Sequence, residues 1–321
     1  MTRRIVFMGT PHFAIPTLQW LIDEYSSTGE KGGVVGVFTQ PDRPSGRGRK
    51  PQASPVKMLA QEHELTVLEP ASLRTAKALA ELKALQPDVI VVAAFGQILP
   101  ATVLEVPPFG SLNVHASLLP RWRGAAPVAA ALLAGDDTTG VTIMKMDAGL
   151  DTGPILSQRS VGIDPEDTRS SLTSRLAQLG AELLRDTLPG WFTGNLEPQP
   201  QDDTLATYAP QIKKEQGRID WDESADDIDR RVRAFHPWPG AFTHWQGKSL
   251  KILRATATAS WQGEKRGDLL PGTVIAGADD PEVVTGRGAL RLVEVQLAGK
   301  HPMAAADFVR GARDFVGARL E

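Results

Sequence analysis

The 321-residue chain contains no cysteine. Disulfide scaffolding, thiolate catalysis and cysteine-based zinc or iron–sulfur sites are thereby excluded. The absence fits a reducing compartment, and a cytoplasmic location is expected. Long hydrophobic runs are missing too, since no stretch approaches the roughly 20 apolar residues of a membrane-spanning helix. The opening Met1-Thr-Arg-Arg-Ile-Val-Phe-Met-Gly9 puts two arginines before an apolar run too short for a secretory leader, and reads as a first buried strand. Positive charge is not in excess. With 35 Lys/Arg against 38 Asp/Glu the formal net charge is −3, so a nucleic-acid partner would have to be held by local basic patches.

Two catalytic signatures are begun and not completed. The turn after the first strand, Met8-Gly-Thr-Pro-His-Phe-Ala14, has one glycine where a dinucleotide-binding turn needs G-x-G-x-x-G. A nicotinamide-dependent oxidoreductase is rejected on that ground. Leu150-Asp-Thr-Gly153 has the shape of an aspartic-protease signature, but that chemistry needs two carboxylates sharing a proton. No second Asp-Thr/Ser-Gly is present.

What is present is an ordinary globular composition, 41% hydrophobic and 23% charged, in a chain longer than one core usually organises. Two domains are expected. In the first half, strand-like runs at Arg4–Met8, Gly33–Thr39, Val89–Ala94, Ser111–His115 and Gly140–Met146 alternate with helical patterns at Pro16–Tyr25, Val56–Glu64, Thr75–Leu85 and Ala126–Ala134. That alternation predicts an α/β, Rossmann-like, mostly parallel doubly wound sheet, with ligands bound beyond the carboxyl ends of its strands. A Gly-, Pro- and polar-rich stretch follows, and residues 190–207 read as a linker between a domain over 1–189 and one over 208–321. The second domain shows short strand-like runs (Ala241–Trp245, Leu250–Ala255, Gly272–Ile275, Glu282–Val284 and Leu290–Leu297) with helical patterns at Asp226–Ala234 and Ala304–Gly311. A small OB-like β-barrel is expected there.

Two runs could carry chemistry. In Ser111-Leu-Asn-Val-His115, strand alternation points Asn113 and His115 the same way. An amide beside an imidazole could hold an oxyanion while a proton moves, or could be two satisfied polar residues at a strand end. In Gly140–Pro154 an apolar strand runs into a loop carrying Asp147 and Asp151 between glycines. A carboxylate there could orient an imidazole, or could simply build an Asp-Gly turn. The spacing of either run alone leaves both readings open.

Taken together with their surroundings, these runs resemble the 10-formyltetrahydrofolate-dependent formyltransferases, and the methionyl-tRNA formyltransferases among them. The resemblance rests on Phe7-Met-Gly-Thr-Pro11, Thr39-Gln-Pro-Asp-Arg-Pro44 with Gly46-Arg-Gly48, and Ala94-Phe-Gly-Gln-Ile-Leu-Pro100. It continues through Asn113-Val-His115, Ser117-Leu-Leu-Pro-Arg-Trp-Arg-Gly-Ala-Ala-Pro127, Leu150-Asp-Thr-Gly153, Ile219-Asp-Trp221 and Arg233-Ala-Phe-His-Pro-Trp-Pro239, covering nearly the whole chain. Two positions depart from the pattern: Phe95 stands where tyrosine is common, and His12 where an acidic residue is common.

The resemblance implies formyl transfer from 10-formyltetrahydrofolate to the α-amine of methionyl initiator tRNA, with Asn113, His115 and Asp151 catalytic and no metal required. It implies a folate site lined by Ser117, Leu118, Leu119 and Pro120, with Phe95, Gly96, Gln97, Ile98 and Leu99 at the pterin. The basic loop with Arg43, Arg47, Arg49 and Lys50 would meet the acceptor stem. Lys213, Lys248 and Lys251 would supply further phosphate contacts from the second domain, and a monomer is expected. A sister formyltransferase acting on an amino sugar nucleotide or on glycinamide ribonucleotide is the alternative. A non-catalytic RNA-binding protein would leave the first-domain motifs unexplained.

Overall fold

The computed structural model describes residues 3–25, 32–45, 50–258 and 269–321, and for 43–45 and 50–51 the backbone alone. From the N-terminus come β1 (Arg4–Gly9), α1 (Ile15–Tyr25), β2 (Gly33–Phe38), β3 (Arg43–Ser45), β4 (Lys50–Gln52), α2 (Pro55–Glu62), β5 (Val67–Leu68), α3 (Ala76–Ala84) and β6 (Val89–Ala93). They are followed by α4 (Ala101–Leu104), β7 (Ser111–His115), β8 (Arg123–Gly124), α5 (Pro127–Ala134), β9 (Thr138–Lys145), β10 (Ile155–Gly162), α6 (Arg169–Thr193) and β11 (Tyr208–Ala209). The remainder holds α7 (Ala225–Phe235), β12 (Ala241–Trp245), β13 (Lys248–Thr258), β14 (Val274–Ile275), β15 (Glu282–Val284), β16 (Ala289–Leu297), β17 (Met303–Ala304) and α8 (Ala305–Gly311).

The chain divides into two compact units. One comprises residues 1–127, 138–162 and 173–209, and the other residues 128–137, 163–172 and 210–321. The first unit is built on a seven-stranded sheet in the order β10-β9-β7-β6-β1-β2-β5. Pairings among β5, β2, β1, β6 and β7 are parallel, whereas β7/β9 and β9/β10 are antiparallel. The mostly parallel α/β sheet expected from the alternation is thus observed, with an antiparallel edge. All five residues of β6 are buried, as are five of six in β1, which is why these strands read as unbroken apolar runs. Helix starts follow local capping chemistry. Ser54 accepts from Lys57 N at 3.1 Å ahead of Pro55, and Thr75 accepts from Ala78 N at 3.2 Å.

Residues 190–207, whose composition suggests a linker, begin inside α6, which runs to Thr193. Farther on, Gln199 exchanges two backbone hydrogen bonds with Ile155, and β11 pairs in parallel with β8.

The second unit carries a sheet in the order β12-β13-β16-β15-β14, with β17 on β16. Its pairings are antiparallel. Among the described residues no β12–β14 pairing closes it into the expected barrel. Its core gathers Trp221, Ile228, Trp245, Leu250, Phe308 and Phe315, where the rings of Trp245, Phe308 and Phe315 meet edge-on at 5.0–5.5 Å. No helix among the described residues is long and apolar enough to cross a membrane.

Candidate active site

The first unit's strand order reverses between β1 and β6. The chain proceeds from β1 to β2 and β5 on one side, then returns to lay β6 and β7 on the other. Such a switch point opens a crevice beyond the carboxyl ends of the strands. Thr10, just past β1, donates to Phe95 O at 3.0 Å, and Gln40, just past β2, donates through Nε2 to the same carbonyl at 3.0 Å. These bonds fix the loop after β6. In that loop Phe95 and Leu99 are buried, whereas Ile98 is 72% exposed. Gln97 is engaged at both ends of its amide, donating to Pro70 O at 2.8 Å and accepting from Leu73 N at 3.2 Å. Its side chain holds the loop in place, and Gly96 turns it with φ +80°.

β7 lies between β6 and β9 and is buried at all five positions. Its alternation sends Leu112 and Val114 to one face and Asn113 and His115 to the other. A buried amide and a buried imidazole must find partners. Asn113 Nδ2 donates to Asp151 Oδ1 at 3.3 Å, and His115 Nδ1 lies 3.7 Å from Asp151 Oδ2. The strand end and the loop after β9 therefore converge, and all three residues singled out in the sequence come together.

His115 Nε2 stands 3.0 Å from the carbonyl oxygen of Trp122. A carbonyl only accepts, so Nε2 carries a hydrogen and donates it. The nitrogen facing Asp151 is then the one left to exchange a proton. Asp151 is held on both oxygens, Oδ1 by Asn113 and Oδ2 by the Gly124 N–H at 2.9 Å. The second acidic candidate, Asp147, is structural. Its Oδ1 accepts from Gly149 N at 3.0 Å and from Thr152 Oγ1 at 2.7 Å, which builds the turn presenting Asp151.

The site concentrates backbone strain. Trp122 (φ 62°) and Asp151 (φ 53°) occupy the left-handed region, as does Ala94 (φ 47°) after β6. Such placements cost on the order of 1–2 kcal/mol each for a residue with a Cβ, less for Asp, and persist where surrounding bonds over-determine them. Gly124 has φ +114°, and a Cβ there would stand 2.8 Å from Ala209 O. Only glycine brings this N–H to the carboxylate. The sequence does not single out the Gly124 N–H or the Trp122 carbonyl, because backbone groups leave no residue-type signal; the glycine is the one visible trace.

The 117–120 run continues directly from β7. Ser117 is buried and donates to Arg121 O at 2.6 Å, and Leu118 is half-buried. Leu119 precedes a cis bond to Pro120, and its carbonyl accepts from Gln158 at 2.8 Å. β3 and β4, which flank the basic loop in sequence, pair as a hairpin, Ser45 with Lys50 and Arg43 with Gln52. Arg47 and Arg49 lie outside the described residues, and the side chains of Arg43 and Lys50 are likewise not described. At the root of the hairpin, Lys57 Nζ is 2.9 Å from both Asp42 and Glu69, whose hydrogen bonds, Glu69's the stronger, raise the lysine's pKa. Lys213 and Lys248 are exposed and Lys251 half-buried, all within the second unit. No group of three or more His, Asp or Glu among the described residues is arranged to hold a metal ion.

Comparison with known proteins places this geometry. The formyl transferase family model matches residues 3–188, and the model for the formyl transferase C-terminal domain matches residues 211–313. A methionyl-tRNA formyltransferase of Methylococcus capsulatus is 50% identical over 317 residues, covering 99% of both chains. Among solved structures, a methionyl-tRNA formyltransferase from Clostridium thermocellum shares the fold with a TM-score of 0.55 at 19% identity, covering 88% of this chain and 99% of that one. An N-formyltransferase from Helicobacter canadensis, solved with folinic acid and dTDP-3-aminofucose, gives a TM-score of 0.65 at 18% identity over 91% and 99%. A buried amide and imidazole on β7 and a half-buried carboxylate after β9 thus sit in a chain matched along nearly its full length, and the chain belongs to the formyl transferase family.

Proposed function

We propose that this chain transfers the formyl group of 10-formyltetrahydrofolate to the α-amine of methionyl initiator tRNA. The observation that carries the reading is the convergence of Asn113, His115 and Asp151, in a chain half identical to methionyl-tRNA formyltransferases over its whole length. The acceptor nitrogen bonds to the formyl carbon, the bond from that carbon to N10 of the folate breaks, and one proton passes from the amine to N10.

Each residue has a distinct part. Asn113 gives one amide hydrogen to Asp151 and keeps the second for the oxygen of the tetrahedral intermediate. His115, anchored through Nε2 on Trp122 O, takes the amine proton on Nδ1 and returns it to the leaving nitrogen. Asp151 faces the charge that forms on the ring while Gly124 and Asn113 keep its carboxylate from turning away. The folate reading draws on the loops after β6 and β9, where Ile98 (72% exposed) and Leu150 (60% exposed) present apolar side chains at the surface. Phe95–Leu99 and Ser117–Pro120 form the walls of the folate site in this reading.

For the tRNA, the β3–β4 hairpin with Arg43, Arg47, Arg49 and Lys50 meets acceptor-stem phosphates, and Lys213, Lys248 and Lys251 add contacts from a second unit read as an OB-type module. The test is formyl transfer to charged initiator tRNA, run beside a dTDP-amino sugar as acceptor. Turnover with the tRNA alone supports the proposal, and turnover with the sugar alone overturns it.

A further inference from the structure

Residues 199–209 fall between the stretches matched by the two family models, and as far as residue 207 their composition reads as a linker. In the first unit they form a strap across both strained turns of the site. Thr207 Oγ1 accepts from Trp122 N at 2.9 Å, Thr207 O accepts from Arg123 N at 2.9 Å, and Ala209 O accepts from Ala125 N at 2.9 Å. At the centre is Gln201, whose Nε2 donates to Asp151 O at 2.8 Å and to Gly153 O at 2.7 Å. Its Oε1 accepts from Arg123 Nε at 3.0 Å and Nη2 at 2.9 Å. The amide can face only one way, because carbonyls cannot donate and a guanidinium cannot accept. Arg123 is 2% exposed, and Nη2 also meets Asp203 at 2.7 Å. Burial depresses the guanidinium's pKa, but hydrogen bonds to Asp203 and Tyr208 outweigh it and leave the net shift upward.

From these contacts the geometry points to Gln201 as a positioning residue for formyl transfer: its amide clamps the backbone of the Asp151 turn to the fixed charge of Arg123. Asp147 builds the turn from within through Gly149 and Thr152, and the carbonyls of Asp151 (φ 53°) and Gly153 are held from outside it by Gln201. The two bonds from Gln201 lock the Asp151–Thr152 and Gly153–Pro154 peptide planes, and Arg123 locks Gln201. Arg123 in turn is adjacent to Gly124, whose N–H holds Asp151 Oδ2. The carboxylate is therefore set from its backbone and from its oxygen by neighbouring residues of one short strand.

The inference rests on the reading of Asp151 as catalytic. Gln201→Glu separates the clamp from mere structural support. It keeps an acceptor for Arg123, and strengthens that pair, while replacing the donor to Asp151 O and Gly153 O with an oxygen that repels both. A kcat loss on the order of 100-fold is expected, the scale of a displacement of about 1 Å in a reacting group. KM for methionyl-tRNA and folinic acid binding should stay near wild type, and the variant should remain folded at the assay temperature with a melting temperature lowered by the two lost bonds. In an Asp151→Asn background the same substitution should cost almost nothing further, because the residue acts through Asp151. Gln201→Leu removes both roles and gives a second route to the same comparison if the glutamate distorts the fold. Wild-type kcat in the folded Glu and Leu variants, or losses that multiply fully with Asp151→Asn, would overturn the proposal. Failure of the formyl-transfer reading would show separately, as a wild-type chain without activity.

Discussion

Asp151→Asn tests the charge at the centre of the site and leaves its shape in place. Asparagine tolerates the left-handed region, whereas alanine at φ 53° would add about 1 kcal/mol of strain and confuse the result. The new side chain can still accept from Gly124 N–H with its oxygen. Its amide nitrogen then faces the Asn113 amide, so the native donor–acceptor contact is lost. The larger effect is on the proton-transfer step. A positive imidazole with Nδ1 3.7 Å from a carboxylate oxygen is stabilised by about 4 kcal/mol at an effective dielectric constant near 20. Both side chains are largely buried, at 6% and 13% exposure, so solvent screening takes away little of this. At about 1.4 kcal/mol per decade, kcat should fall by roughly three orders of magnitude. Single-turnover formyl transfer to methionyl-tRNA, with folinic acid binding and a thermal melt as controls, measures it. A kcat within tenfold of wild type, or a loss confined to KM, would refute the assignment of Asp151 to the charge on His115.

Three further outcomes are expected. His115→Ala should lower kcat by about 100- to 10,000-fold with folding retained, and near-normal turnover would show that the proton moves by another route. Arg47→Ala combined with Arg49→Ala should raise the tRNA Kd, flatten its salt dependence and leave folinic acid binding unchanged; equal losses for both ligands would indicate a structural loop. Lys57→Met, which cuts the hairpin root from Asp42 and Glu69, should cost no more than about 1 kcal/mol in a denaturant melt but raise KM for tRNA. An unchanged KM would mean that the hairpin keeps its placement without that bridge.

The strands that position the site are legible because their residues leave little choice. Val89–Ala93 is continuously apolar, and Ser111–His115 is an apolar strand interrupted on one face by two polar residues; the pattern places both within one residue of their observed ends. The antiparallel edge is not legible. Ile155–Gly162 buries only Leu156, alternates half-buried and exposed positions from Ser157 on and has too few apolar residues to announce a strand, and its direction is set by pairing with β9. Nor is α6, whose apolar positions are diluted with polar ones and which contains Gly180 and Pro189, residues that usually end helices. Gly180 has a reason to be there: a Cβ would stand 2.6 Å from Val114 Cγ1, on the face of β7 opposite Asn113 and His115. The glycine within the helix and the polar face of β7 are thus two consequences of the same strand.

The candidate site divides in a similar way. Asn113, His115 and Asp151 could be named because the resemblance singled them out, where side-chain chemistry and spacing alone left a bland reading open. What orients them could not, since Trp122 contributes a carbonyl, Gly124 an N–H, and Gln201 an amide in a stretch where glutamine and proline carry no pattern. Polar, proline-rich composition belongs equally to a free tether and to a strap whose polar groups are engaged by another loop. The two differ only in their partners. Here the partners are the backbones at Trp122 and Asp151, two non-glycine residues held in left-handed geometry beside the imidazole. Strain at a site persists only where something over-determines it, so those two φ values require a clamp, and residues 199–209 provide it.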